Sequence, residues 1–93
     1  MTTLPQDELI STPMPGPRAR ALAERARDAV PRAMSAAMPT FAAAADRGIL
    51  EDVDGNRLID LGSGIGVTTV GGAAGPVAAA VRDQVDRLTH TSF

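Results

Sequence analysis

Nine arginines and no lysine among 93 residues set the first limit on chemistry. Without a lysine side chain this stretch forms no internal Schiff base and has no P-loop lysine. It also lacks cysteine, which removes thiolate nucleophiles, disulfides and thiolate metal sites. His90 is the one histidine. No Ser or carboxylate stands at a spacing that makes it a nucleophile's base, so its neighbours Thr89, Thr91 and Ser92 point to a structural setting. Asp52 and Asp60 are candidates for an acid–base pair, but nothing in their spacing distinguishes them. No catalytic residue, cofactor-binding residue or metal ligand is expected within the chain.

Two loops invite closer reading. In Asp52-Val53-Asp54-Gly55-Asn56 the oxygen-bearing side chains alternate, as in a calcium loop. Counted from Asp52, however, the glycine comes two places early, and Ser63 stands where an EF-hand needs its bidentate glutamate. Turn chemistry is the better account: Asp and Asn support a tight hairpin. Gly62-Ser63-Gly64-Ile65-Gly66 follows a β-capable run, as a dinucleotide fingerprint would. The third glycine of that fingerprint should fall at Val67 or Thr69, and it does not. Gly66 and Gly71 have P-loop spacing, but Gly72-Ala73 replaces the required Lys-Ser/Thr pair. What remains is a loop whose backbone passes close to something else, a ligand or another chain.

The elements that position these loops are readable in outline. Residues 1–17 hold Pro5, Pro13, Pro15 and Pro17, and read as an extended, poorly ordered arm. Residues 18–30 are rich in helix formers, with Leu22, Ala26, Ala29 and Val30 on one face, and Pro31 ends the helix. A connector follows to residue 40. Phe41 to Ala45 suits either a helical turn or an extended run. Ile49 to Leu61 reads as a hairpin turning at Asp54-Gly55. Pro76 opens a helix over 76–88, with Val77, Val81, Val85 and Leu88 expected to be buried. Arg82/Asp86 and Asp83/Arg87 are spaced as ion pairs on its other face. The fold class is α+β: helix, hairpin, Gly-rich loop, helix.

Composition bounds the rest. Of the 44% hydrophobic residues, 17 are alanines, which bury little area each. The few bulky side chains suggest a segment that packs against something larger. A net charge of −2 with only Phe41 and Phe93 as aromatics offers neither a basic stripe nor a stacking platform for nucleic acid. No apolar run is long enough to span a membrane. Met1 to Pro17 shows neither a positive n-region nor an apolar h-region, so an ordinary secretory signal is not expected. From these features alone, a free-standing interaction module without catalysis stays open.

The stretch from Val30 to Phe93 resembles the start of a class III pyridoxal-phosphate aminotransferase. The likeness is carried by VPRAM, by Pro39-Thr40-Phe41-Ala42, by EDVDGNRLIDLGSGIGVTTVGG, and by VAAAVRDQVDRLTHTSF. Within it, Asp52-Val53-Asp54-Gly55 running to Asp60 matches the family's hairpin. Leu88, Thr89, His90 and Thr91 match its helix exit. The Gly64 to Gly71 string and the H-T-S-F end lean toward the branch acting on 4-aminobutyrate. One departure is the turn Gly71 to Pro76, which lacks the family's usual histidines and carries its proline one place late.

The resemblance implies an N-terminal part, residues 18–93 behind the 1–17 arm, of a fold type I enzyme whose large cofactor domain lies outside this chain. It implies pyridoxal 5'-phosphate bound elsewhere in the protein, together with the Schiff-base lysine, so this chain alone is expected to be inactive. The implied partners are a small amine and a 2-oxo acid, in an obligate cytoplasmic homodimer. The implied reaction moves the amino group of 4-aminobutyrate to 2-oxoglutarate, giving succinate semialdehyde and glutamate. Ornithine, acetylornithine, diaminobutyrate or β-alanine are the alternative amines. By motif position, Ile65 would line the substrate pocket and Ser92 would sit near its mouth, neither doing acid–base work.

Overall fold

The computed structural model describes residues 3–34 and 36–92. Helix α1 spans Pro17–Ala29, and three strands follow: β1 (Ala42–Asp46), β2 (Ile49–Asp52) and β3 (Arg57–Ile59). After them come the single turn α2 (Ser63–Gly66) and the helix α3 (Gly75–Val85). The strands form one antiparallel sheet in the order β1-β2-β3. This is a small α+β segment.

The expected hairpin is present. β2 and β3 pair Ile49 with Ile59, Leu50 with Leu58 and Glu51 with Arg57. The chain reverses through Gly55, whose φ of 84° lies in the left-handed region. A side chain there would be strained, so glycine suits the position. The sequence left Phe41 to Ala45 open, and the structure makes Ala42–Asp46 a strand. It pairs with β2 through Ala44↔Glu51, Ala45↔Leu50 and Asp46↔Ile49, with a bulge between Ala42 and Ala44.

Helix α1 begins at Pro17, whose fixed φ suits the first helical position. It ends at Val30, which is extended (φ −111°, ψ 133°) because Pro31 disfavours the helical region for its predecessor. The cap position holds Gly16, which has no side chain to offer. Asp54 in the hairpin turn serves instead, accepting the Arg18 N–H at 2.8 Å and the Ala19 N–H at 2.9 Å. The buried residue of α1 is Ala19, one turn before Leu22 on the face expected from its pattern. Leu22, Ala26, Ala29 and Val30 instead edge an open groove with Phe41.

The arm, expected to be poorly ordered, is docked on the sheet. The Leu4 N–H donates to Asp46 Oδ2 at 2.9 Å, and Leu4 is buried. Leu9 pairs with Arg57 as a short fourth rung on the open edge of β3. Asp7 and Arg57 form an ion pair at 2.9 Å. The N–H groups of Ser11 and Thr12 both donate to Asn56 Oδ1, at 2.8 and 3.0 Å. Proline restricts the backbone but does not prevent an extended segment from finding partners, and these backbone donors find them. Asn56, fully buried at 0% exposure, is the largest side chain so enclosed among the described residues. The centre of the unit is therefore polar, with Ile49 and Ala19 beside it.

Helix α3 forms but ends at Val85, short of the expected residue 88, and its apolar face is not covered by the other described residues. Val77, Val81, Val85 and Leu88 are each between 50 and 55% exposed. No other described element lies over them, so the burial expected from the periodicity is not met within the described residues. Neither expected ion pair forms on its polar side; the described ion pairs lie at Arg27–Glu24, Arg47–Asp46 and Arg57–Asp7. Exposed pairs gain little against solvent. Among the described residues, no helix is long and apolar enough to cross a membrane.

Candidate functional site

The Gly-rich loop leaves the sheet at Asp60 and returns at Gly72, and both ends tie to the β1–β2 turn. The Asp60 N–H donates to the Gly48 carbonyl at 2.9 Å. Gly72 exchanges two hydrogen bonds with Arg47, at 2.8 and 2.9 Å. Between these anchors the backbone winds left-handed. Ser63 (φ 46°), Gly64 (60°), Ile65 (63°) and Gly66 (77°) all have positive φ. Left-handed backbone costs an L-residue roughly 1–2 kcal/mol, and a β-branched residue tolerates it least. Ile65 bears that cost while 97% exposed. A large apolar side chain held in a disfavoured backbone and aimed at solvent points to a binding role.

Most of the loop's N–H groups are engaged within the protein. Ile65 and Gly66 donate to the Gly62 carbonyl, Val67 and Thr68 to Ser63, Gly71 to Thr68, and Gly72 to Arg47. These N–H groups are spent inside the protein. Ser63 N–H, the next candidate donor, is taken by Asp60 Oδ1 at 2.8 Å.

Asp52 and Asp60 are each held by hydrogen bonds of their own. The Asp52 carboxylate accepts four hydrogen bonds: Thr40 Oγ1 at 3.0 Å, Asp54 N–H at 2.9 Å, Asn56 N–H at 2.8 Å and Asn56 Nδ2 at 2.9 Å. Burial pushes its carboxyl up, but the side-chain and backbone donors of Asn56, then Thr40 and Asp54, outweigh that and hold it below the usual carboxylate range. It is a structural hub. Asp60 is engaged at the loop's entrance, as above.

Of the two pocket-wall residues expected from sequence, Ile65 stands at the loop tip and Ser92 lies exposed past the end of α3. No hydrogen bond among the described residues joins them, and the structure by itself does not bring them into one pocket. Phe93, the last residue of the H-T-S-F end, lies outside the described residues. Beside the loop, a cavity of about 330 Å³ is walled by Val67, Thr68, Val70, Ala74 and Val77. Into this apolar setting the buried Thr68 Oγ1 brings a hydroxyl with no partner, a feature that sequence reasoning missed and that no motif signals. A larger groove of about 660 Å³ runs between α1 and the connector, lined by Ala26, Val30, Met34 and Phe41. It touches neither Ile65 nor Ser92 and carries no acid–base group.

Comparison with known proteins settles the family. The pattern described as Aminotransferase class-III matches residues 31–93. The chain belongs to the class III aminotransferases. Over all 93 residues it is 50% identical to "4-aminobutyrate aminotransferase" of Mycobacterium leprae (strain TN), covering 21% of that protein. It is 38% identical over 72 residues to "5-aminovalerate aminotransferase DavT" of Pseudomonas aeruginosa, covering 77% of this chain and 17% of the relative. It is 36% identical over 72 residues to "4-aminobutyrate aminotransferase GabT" of Escherichia coli (strain K12), again 77% of this chain and 17% of the relative. The chain thus spans about a fifth of the length of these 4-aminobutyrate aminotransferases from mycobacteria.

Class III aminotransferases depend on pyridoxal phosphate. The residues present here do not fit that cofactor. They include no lysine to condense with it, and most N–H groups of the Gly-rich loop are engaged within the protein.

Proposed function

We propose that these residues are the N-terminal part of an aminotransferase moving an amino group from 4-aminobutyrate to 2-oxoglutarate. The products are succinate semialdehyde and glutamate. The reading is supported above all by 50% identity, sustained across the whole chain, to 4-aminobutyrate aminotransferases. Pyridoxal 5'-phosphate, held by parts of the protein outside this chain, supplies the electron sink. The protein works as a cytoplasmic homodimer of fold type I, and the chain alone is inactive. The bare α3 face and the groove beside α1 support a larger assembly, since apolar surface of this kind is ordinarily covered.

In this reading Ile65 packs on the methylene chain of the amine, and Ser92 lies near the mouth of the same pocket. Neither takes or gives a proton. A second amine, 5-aminovalerate, is favoured by the 38% identity to the Pseudomonas enzyme. It differs by one methylene, and an apolar wall separates such substrates by roughly 10–200-fold.

The test uses the full-length enzyme. Ile65→Gln is expected to lower kcat/KM for 4-aminobutyrate by ~10-fold or more, with cofactor binding and Tm nearly unchanged. A drop in Tm with no change in amine preference would make Ile65 a packing residue and overturn the pocket assignment.

A further inference from the structure

The turn Ser63–Gly66 holds a shape that two of its own residues resist. Ser63 and Ile65 are L-residues at φ 46° and 63°. Such backbone persists only where the surroundings over-determine it. Packing does not supply that constraint at Ile65, which is 97% exposed.

Hydrogen bonding does. The Ser63 N–H, at the head of the turn, donates to Asp60 Oδ1 at 2.8 Å. Asp60 is itself fixed to the sheet through its N–H, 2.9 Å from the Gly48 carbonyl. Among the described residues, Asp60 is the only side chain that hydrogen-bonds this turn. The remaining bonds run from residues 65–68 back to the Gly62 and Ser63 carbonyls, inside the turn.

We propose that Asp60 is a positioning residue for substrate selection: by holding the Ser63 N–H it locks the left-handed turn and so presents Ile65 to the amine. This rests on the pocket-wall reading of Ile65. Asp60 touches neither substrate nor cofactor; it acts through the backbone it constrains. Remove its acceptor, and Ser63 and Ile65 relax toward negative φ, which turns the Ile65 side chain away from its present direction.

The experiment measures kcat and KM for 4-aminobutyrate and 5-aminovalerate in the full-length enzyme. The variants are Asp60→Ala, Asp60→Asn, Ile65→Gly and the double Asp60→Ala/Ile65→Gly, with a crystal structure of Asp60→Ala. Asp60→Ala is expected to lower kcat/KM for 4-aminobutyrate by ~10-fold, through KM rather than kcat, and to shift the ratio between the two amines. Asp60→Asn keeps an acceptor oxygen and recovers most of the wild-type ratio. The double variant is no worse than Ile65→Gly alone, because both act on one contact. In the Asp60→Ala structure Ile65 has left the left-handed region.

A turn still left-handed in Asp60→Ala overturns the proposal. So does a wild-type amine ratio in Asp60→Ala while Ile65→Gly shifts it; the pocket wall then stands without the lock. An unchanged ratio in Ile65→Gly, with the turn relaxed in Asp60→Ala, removes the pocket-wall reading instead and takes substrate selection with it. If Asp60→Ala does not fold, Ser63→Pro deletes the same bond from the donor side and forbids positive φ. A wild-type ratio in folded Ser63→Pro enzyme overturns the proposal equally.

Discussion

The carboxylate of Asp54 accepts the backbone N–H of Ala19 at 2.9 Å, across 35 residues of chain. A hairpin turn thereby does for α1 what a capping residue ordinarily does for its own helix. That side chain helps join helix to sheet, at a point where the helix would otherwise leave two donors unsatisfied.

Asp54→Ala in the full-length protein is expected to cost about 1–2 kcal/mol, the usual loss for a cap. Gly16→Ala should destabilise too, because a Cβ on Gly16 would overlap the Asp54 carboxylate. The two effects should not add, since the first removes what the second collides with. Thermal melts of the two single variants and the double check this. Full additivity would mean that the helix start is held by something else.

Gly55→Val is expected to destabilise the full-length protein by more than ~1 kcal/mol. Open space surrounds Gly55, so the loss comes from its φ of 84° and not from collision. Gly55→Asn should cost less, because asparagine tolerates the left-handed region better than valine. Equal melting temperatures for the two variants would refute a conformational origin.

Acid should loosen the arm and the connector. The Asp52 carboxyl lies below its ordinary value of 3.8 in the folded protein. A carboxylate depressed by folding contributes stability that is present above the unfolded value and lost as pH falls through the folded one. The Leu4 N–H, then Arg47, lower Asp46 in the same way. Stability of the full-length protein should therefore fall on acidification below pH 3.8, and Asp52→Asn should flatten that part of the profile. Denaturant melts across the range measure it; an Asp52→Asn profile parallel to wild type would contradict the hub role.

Val81→Asp should be severe in the full-length protein, because the rest of the protein is proposed to cover the α3 face and would bury an unpaired charge. Arg82→Ala should stay within roughly 0.5 kcal/mol. Similar melting temperatures for the two variants would mean that this face remains bare in the whole protein.

The hairpin was legible because Asp54-Gly55 sits between β-capable runs, and turn chemistry is local. β1 was not, because four alanines favour helix over strand when read alone; pairing with β2 decided the matter. The docking of the arm was hidden for a related reason. Asn56 holds Ser11 and Thr12 through bonds spanning 45 and 44 residues, and no periodicity records such a contact. At the candidate site the three glycines announced unusual backbone, but isoleucine argues against the left-handed region, so the conformation of Ile65 had no local signal. The valines of α3 mark an apolar face that the described residues leave open. What covers it could not be read, since covering surface belongs to other residues.

The Gly-rich loop is fastened at both feet to one two-residue turn, Asp60 to Gly48 and Gly72 to Arg47. Closure entropy rises only with the logarithm of length, about 0.6 kcal/mol for each doubling. Residues added or exchanged between the feet therefore burden the sheet very little. The mount can stay fixed while the tip is rewritten, with the register of the strands preserved.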